Sequence, residues 1–457
     1  MPAQNPRQIA ARILRRREDG EDYVETLLEA ELARSEMSPA DRGLCQELTY
    51  GVVRWKATLD WLITQKTKGR EQKSALQVFL GLGLYQIFWL DRIPNHAAVN
   101  ETVELAKRSG FSGQSGFVNA ILRSYLREFE ATKKLLAGLK TSQPALGHSH
   151  PEWLYERWKN RWVAEKTGQL MEWNNTPPKT FARANTLAGL RCGSAMDDRQ
   201  VVPTLLELWR EEGVEAKPVT RDWLPENLVF ELKSHPPLST LKSFQQGFFY
   251  MQDPGTLLAV RELDPHPGET ILDLCAAPGG KTTYIAQLMH NKGRVVAQDI
   301  SGERVKLIRE NCERLGVACV ETRGSRREEA PTSKFEMSQS LLTSAATSSQ
   351  FDRILIDAPC SNTGVMRRRV DLRWRITPEE ISRLQAAQLN LLERAGQQLK
   401  PGGGLVYSTC SLEPEENSEV VKRFLSEHAE FKLESERELL PFQDEVDGAF
   451  VARLRRE

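Results

Sequence analysis

The strongest constraint on this chain is an alternation that begins near residue 252: strand, glycine loop, helix, strand, then the same again. Thr270-Ile271-Leu272-Asp273-Leu274 is a short apolar run of strand length. It feeds the loop Cys275-Ala276-Ala277-Pro278-Gly279-Gly280-Lys281 and then a helix expected over 282–289. Further strands are expected at 293–298, 351–356 and 404–407, with helices at 303–315 and 378–399 between them. Such alternation predicts a doubly wound, mostly parallel α/β sheet, whose ligands sit at the carboxyl ends of the strands. Every motif below falls at such an end. Gly279 and Gly280 let the backbone approach a ligand, and the helix start offers unpaired N–H groups. Asp299, about 20 residues beyond the loop, stands where a carboxylate accepts from both hydroxyls of a ribose. Loop and acid together describe a nucleoside cofactor site. The rival reading is a P-loop ATPase, since Ala-Pro-Gly-Gly-Lys-Thr approaches a Walker A loop and Ile354-Leu355-Ile356-Asp357 a Walker B strand. That loop requires glycine where this chain has Cys275, and has no use for Asp299.

Upstream, residues 5–130 carry helical apolar spacing throughout, and 76–90 is nearly all apolar, as a buried central helix requires. Residues 131–145 read as a linker, and 146–250 as a small α+β domain. Residues 251–457 form the α/β domain. The segment 324–350 is rich in Ser, Thr, Glu and Lys and reads as a surface insertion. No apolar stretch is long enough to span a membrane, and no signal peptide is evident.

The chain's 62 basic and 62 acidic residues give a formal net charge of zero, which neither requires nor excludes nucleic acid. Arg54, Lys56, Lys66, Lys68, Arg70 and Lys73 cluster, and are equally compatible with a solvated face or a phosphate-binding patch. Five arginines, Arg367, Arg368, Arg369, Arg373 and Arg375, occupy one loop and are read as RNA-backbone contacts, with Trp374 as a base-stacking candidate. The seven cysteines show no CxxC pair and the histidines no ligand spacing, so neither a disulfide framework nor a metal site is expected. A reducing cytoplasm suits them. Cys45, Cys192, Cys312 and Cys319 are read as structural, and Cys275 as packing in the loop. Cys360 and Cys410 differ, because each follows an apolar strand at the functional edge.

Asp-Ala-Pro-Cys-Ser (357–361), Ser-Thr-Cys-Ser (408–411) and Ala-Ala-Pro-Gly-Gly-Lys-Thr (276–282) together resemble the RNA cytosine-C5 methyltransferases. The stretch from Ile93 to Glu101 and Phe117-Val118-Asn119-Ala120-Ile121-Leu122-Arg123 resemble the helical NusB-type RNA-binding fold. Arg183-Ala184-Asn185, Met251-Gln252-Asp253-Pro254 and the run from Asp447 to Leu454 match as well. A NusB-type domain fused to such an enzyme resembles the bacterial 16S rRNA methyltransferase B group. The resemblance implies an all-α NusB-like domain, a small α+β domain and a Rossmann-like class I methyltransferase domain. It implies S-adenosyl-L-methionine bound by 275–281, Asp299 and Asp357, and 16S ribosomal RNA as substrate, in a monomer. Cys410 is then the nucleophile and Cys360 the residue that assists product release. Asp357 and Lys281 orient and activate the base. Chemistry explains the cysteines: a thiolate adding to carbon 6 makes carbon 5 enamine-like and able to take a methyl group, and a cation such as Lys281 favours the thiolate. Two departures stand out. The family has Gly-Asp where this chain has Gly324-Ser325, and Phe where it has Ala449. A vestigial enzyme acting as an RNA-binding assembly factor is the competing reading.

Overall fold

A computed structural model describes residues 5–20, 22–190, 198–324 and 351–457. Cys192, Ser325 and the body of the expected insertion lie outside these residues. The chain divides into two compact units, 1–177 with 366–375, and 178–365 with 376–457.

The first unit is helical. Asn5 caps its first helix, Pro6–Asp19, by accepting from the Arg7 amide, with proline at the position that lacks a helical partner anyway. The apolar stretch forms the helix Ser74–Trp89, buried on nearly every side as its composition demands. Around it pack Ile13, Leu48, Leu62, Val99 and Leu122. The expected linker at 131–145 is instead the helix Phe129–Ser142, because Leu139 and Thr132 share a buried face. The tryptophan-rich helix Glu152–Asn175, at the start of the α+β domain expected at 146–250, packs within this unit.

The segment 366–375 leaves the second unit to be built into this one. Asp371 is fully buried and receives Arg17 Nη2 at 2.6 Å, Arg375 Nε at 3.1 Å and the Val24 amide at 3.0 Å. Arg373 is buried, donating to Asn175 Oδ1 at 2.8 Å and to the Asn174 carbonyl at 3.0 Å. Burial, then Arg54, push its guanidinium down to about 9. Arg367 lies over the Trp173 ring at 4.0 Å. The expectation of an RNA-facing loop is therefore corrected for Arg367 and Arg373, which are buried, and for Arg375, whose donors reach Asp371 and the Asp22 carbonyl. Trp374 likewise donates to the Val53 carbonyl. Arg368 is half-buried and Arg369 exposed. The basic cluster at 54–73 also thins: Arg54 is buried, Lys56 pairs with Asp60 and Lys66 with Glu128.

The second unit holds two sheets. Strands β1 (Thr180–Ala184), β2 (Glu215–Pro218), β3 (Val229–Ser234) and β4 (Phe249–Met251) form an antiparallel sheet in the order β2-β3-β1-β4. Strands β5 (Thr270–Leu274), β6 (Arg294–Asp299), β7 (Val320–Gly324), β8 (Phe351–Asp357), β9 (Leu399–Thr409), β10 (Phe431–Leu439) and β11 (Ala449–Arg456) form the larger sheet, ordered β10-β11-β9-β8-β5-β6-β7. From β7 to β9 all pairs are parallel; β11 and β10 close the edge antiparallel. The central strands bury both faces, with Leu272, Ile354 and Leu405 in one core and Ile271, Leu355 and Val406 in the other. This period of two within largely apolar runs is why they read as buried strands.

Candidate active site

The chain runs outward from β5 to β6 and β7, then returns to β8 on the other side of β5. The two crossovers diverge there, opening a crevice at the carboxyl ends of β5 and β8. The residues that end or follow these strands meet across it. Lys281 Nζ donates to Asp357 Oδ2 at 2.6 Å, and Ser408, near the end of β9, donates to Asp357 Oδ1 at 3.1 Å. Burial works against the Lys281 charge, but Asp357 outweighs it and holds the ammonium above its usual range; Asp273 and Cys410 push the same way.

The loop 275–281 turns sharply enough to need special backbone. Gly279 has φ +99°, and a Cβ there would press on the Ile308 backbone at 3.3 Å. At Gly280 a Cβ would fall 2.9 Å from the Tyr250 ring. Beneath the loop, Arg183 is fully buried and donates to Gln252 Oε1, the Gly280 carbonyl and Thr283 Oγ1 at 2.8–3.0 Å. Its guanidinium also lies near the Tyr250 and Tyr284 rings. This accounts for the Arg183-Ala184-Asn185 motif: β1 sends an arginine under the glycine loop. Asp299 accepts the Ala277 amide at 3.0 Å and the Ile300 amide at 2.9 Å, so it braces the loop as well as ending β6.

A cavity of about 270 Å³ opens over the loop. Cys275, Ala276, Ala277, Pro278, Gly280, Lys281 and Asp357 line it, with Tyr250, Gln252 and Asp273 completing the wall. Asp273 was not among the expected site residues. Its Oδ2 accepts from Thr282 Oγ1 at 2.6 Å, while its Oδ1 has no hydrogen-bond partner among the described residues. Burial pushes its carboxyl up to about 7. A buried, half-satisfied carboxylate on a cavity wall suits a ligand that brings a cation. Burial, then the nearby acids Asp299 and Asp357, keep the Cys275 thiol well above its usual range, in line with a packing role.

Cys360 and Cys410 come together with their sulfurs 3.3 Å apart. Cys360 is buried and Cys410 half-buried. The hydrogen bond to Cys410, then burial, raise the Cys360 thiol well above its ordinary range. Asn362, held at φ +58°, donates to the Cys360 carbonyl at 2.7 Å and accepts from Cys410 Sγ at 3.0 Å. Gly364 donates to the Cys410 carbonyl at 2.9 Å, and Gly448 to the Gly364 carbonyl. A Cβ on Gly448 would fall 2.8 Å from the Gly364 Cα, so the Asp447-Gly448 element owes its glycine to a backbone contact behind Cys410. Asn362, Gly364 and Glu416 went unread in the sequence; a polar residue two places after a candidate cysteine was the available signal.

A profile of the family described as 16S rRNA methyltransferase RsmB/F matches residues 260–455, a NusB family profile matches 4–127, and the ferredoxin-like domain of RsmF/B-like methyltransferases matches 150–195. Ribosomal RNA small subunit methyltransferase B of Photorhabdus laumondii is 34% identical, with 98% of each chain covered. A methyltransferase homologue from Pyrococcus horikoshii is 30% identical, covering 68% of this chain and 97% of its own, with TM-score 0.54. NSun6 from Pyrococcus horikoshii, solved with SFG, is 25% identical over 67% of this chain and 98% of its own, with TM-score 0.53. A NusB-type helical domain, a ferredoxin-like sheet and a Rossmann-like methyltransferase sheet in this order, with relatives matching end to end, place the chain in the 16S rRNA methyltransferase RsmB/F family.

Proposed function

We propose that this chain transfers a methyl group from S-adenosyl-L-methionine to carbon 5 of a cytosine in 16S ribosomal RNA, through a covalent adduct with Cys410. The carrying observation is the thiol pair at 3.3 Å, in the same crevice region as the Lys281–Asp357 pair. Cofactor fit rests on the open Asp273 Oδ1, which would meet an amine, and on the close backbone approach allowed by Gly279 and Gly280. Residues 275–281, Asp273, Asp299 and Asp357 would hold it. When bound, it supplies an electrophilic methyl sulfonium.

The cytosine must leave its stack to enter. Asp357 faces its exocyclic amine and ring N3, and Lys281 keeps that carboxylate oriented. The Cys410 thiolate forms a bond to carbon 6, and the electron pair of the 5,6 double bond moves to carbon 5, which takes the methyl group. Water accepts the carbon 5 proton, the 5,6 double bond re-forms, and the carbon–sulfur pair returns to Cys410. Cys360, a neutral thiol against that sulfur, donates a hydrogen bond to it as it departs, which is how it assists release. Arg369 keeps the RNA-facing role expected of its loop. A monomer in a reducing cytoplasm completes the reading.

The test is transfer of labelled methyl groups to unmodified 16S RNA, run side by side with Cys410→Ala and Cys360→Ala. Label on carbon 5 of one cytosine, lost in Cys410→Ala, with an RNA-linked protein band in Cys360→Ala, is expected. Full turnover by Cys410→Ala overturns the mechanism. Label confined to transfer or large-subunit RNA overturns the substrate, and no transfer to any RNA favours an assembly factor.

A further inference from the structure

Glu416 is a fully buried carboxylate that the chemistry above does not use. It sits in the short turn Pro414–Glu416 after β9, beneath both cysteine loops. Its Oε1 accepts the Ser361 amide at 2.8 Å and Gln388 Nε2 at 3.0 Å. Its Oε2 accepts the hydroxyls of Ser361 and Ser411, the latter at 2.6 Å. Ser361 directly follows Cys360, and Ser411 directly follows Cys410. One carboxylate thus grips the residue after each thiol, from two loops 50 positions apart in sequence. Neighbouring bonds stiffen the grip. Gln388 also donates to the Pro359 carbonyl, Tyr407 to the Glu416 carbonyl, and Asn417 to the Ser411 carbonyl. A buried charge survives only when so fully bonded.

Resting on the proposed reaction, we infer that Glu416 is a positioning residue that joins the two cysteine loops into one unit and sets Cys360 and Cys410 as unequal partners. The geometric half follows from the shared carboxylate. Without it, the 3.3 Å sulfur–sulfur contact is left to the weaker direct bonds between the loops, such as Ser361 Oγ to Ser411 Oγ at 3.0 Å and the Gly364 amide to the Cys410 carbonyl at 2.9 Å, and a misplacement of about 1 Å at a reacting atom costs on the order of 100-fold in rate. The electrostatic half follows from the sign of the charge. The hydrogen bond to Cys410 and burial oppose ionisation of Cys360 most, and Glu416 adds to them, which leaves Cys360 the donor. Among the described residues, Tyr407, whose hydroxyl is held neutral by burial and then Glu416, Lys281, whose charge Cys410 favours, and Asp357, which pairs with Lys281, are further charged or titratable groups near the thiols.

The experiment compares wild type, Glu416→Gln and Glu416→Ala with Cys410→Ala, measuring kcat and KM for 16S RNA from pH 6 to 10. Thermal melts and binding of S-adenosyl-L-methionine serve as fold controls. Glu416→Gln keeps the shape and removes the charge. The expected result is KM within about twofold, kcat reduced about 10- to 100-fold in the alanine variant, and an alkaline fall of activity at lower pH in Glu416→Gln than in wild type, as Cys360 ionises earlier. Wild-type kcat and an unmoved pH profile in a folded Glu416→Gln, with Cys410→Ala inactive, overturn the inference alone. An active Cys410→Ala overturns the reaction on which it rests. If the alanine variant does not fold, the pH profile of the glutamine variant decides.

Discussion

Asp273→Asn separates what this site needs from what the fold would prefer. The Asp273 carboxyl is fully buried and titrates near 7 instead of 3.8. A raised acid carries its stabilising contribution below its unfolded value and loses it as pH climbs to the folded one. Above pH 7 the folded protein must therefore hold a buried, half-bonded anion. Three units correspond to about 4 kcal/mol, an upper figure. From the same two values, the cost at pH 8 exceeds that at pH 5 by about 2–3 kcal/mol. Asparagine keeps the shape and can still accept from Thr282, yet carries no charge. The variant should gain in urea midpoint relative to wild type at pH 8, gain much less at pH 5, and show an unchanged slope. It should also lose affinity for S-adenosyl-L-methionine by tenfold or more in calorimetry, because the open Oδ1 no longer offers a charge. A variant less stable than wild type at pH 8, or one with the same stability difference at both pH values, refutes the account of Asp273 as a strained ligand-facing acid.

Gly364→Ala places a Cβ 2.5 Å from the Gly448 oxygen and 2.8 Å from the Cys410 oxygen; activity should drop about 100-fold, as displacement of a reacting sulfur predicts, with RNA binding by filter assay retained. Asp371→Asn strips the charge from a buried carboxylate that holds Arg17 and Arg375. Breaking such a site costs about 3–5 kcal/mol, so proteolysis should cut 366–375 and the helical unit sooner, and equal protease resistance would refute the role given to the segment.

The parts of this molecule legible in sequence are those whose reason is local. β5, β8 and β9 bury both faces and so announce themselves as apolar runs, and the loop after β5 needs glycine at φ +99°, which a reader can see as Gly-Gly. The helical unit and the α/β sheet accordingly came out as expected. Residues 131–145 misled because Thr132, Lys133, Lys134 and Gly138 look polar and broken, while the buried face needs little more than Leu139 and Thr132. The arginine loop misled for a different reason. A run of guanidiniums near a conspicuous motif looks like a phosphate reader, but sequence carries no sign that Asp371, Asn174 and Asn175 take two of them, Arg375 and Arg373, and that the Trp173 ring takes Arg367. Charge counts reveal partners in solution only when the charges are exposed.

The same limit explains why Glu416 went unread. A glutamate in Glu-Pro-Glu-Glu looks like surface composition, and its importance exists only where two distant loops converge. Cys360 and Cys410 were conspicuous because a thiol at a strand end has few other uses, yet nothing in either motif says which sulfur keeps its proton. Surroundings act on Cys360: the hydrogen bond to Cys410, then burial, and after them Glu416 raise its thiol, while Cys410 is half-buried. On the proposed reaction, two chemically identical side chains acquire separate roles through groups that never touch the substrate. If the proposed reaction is right, the division of labour between them should follow the charge at position 416 and not the identity of the cysteines.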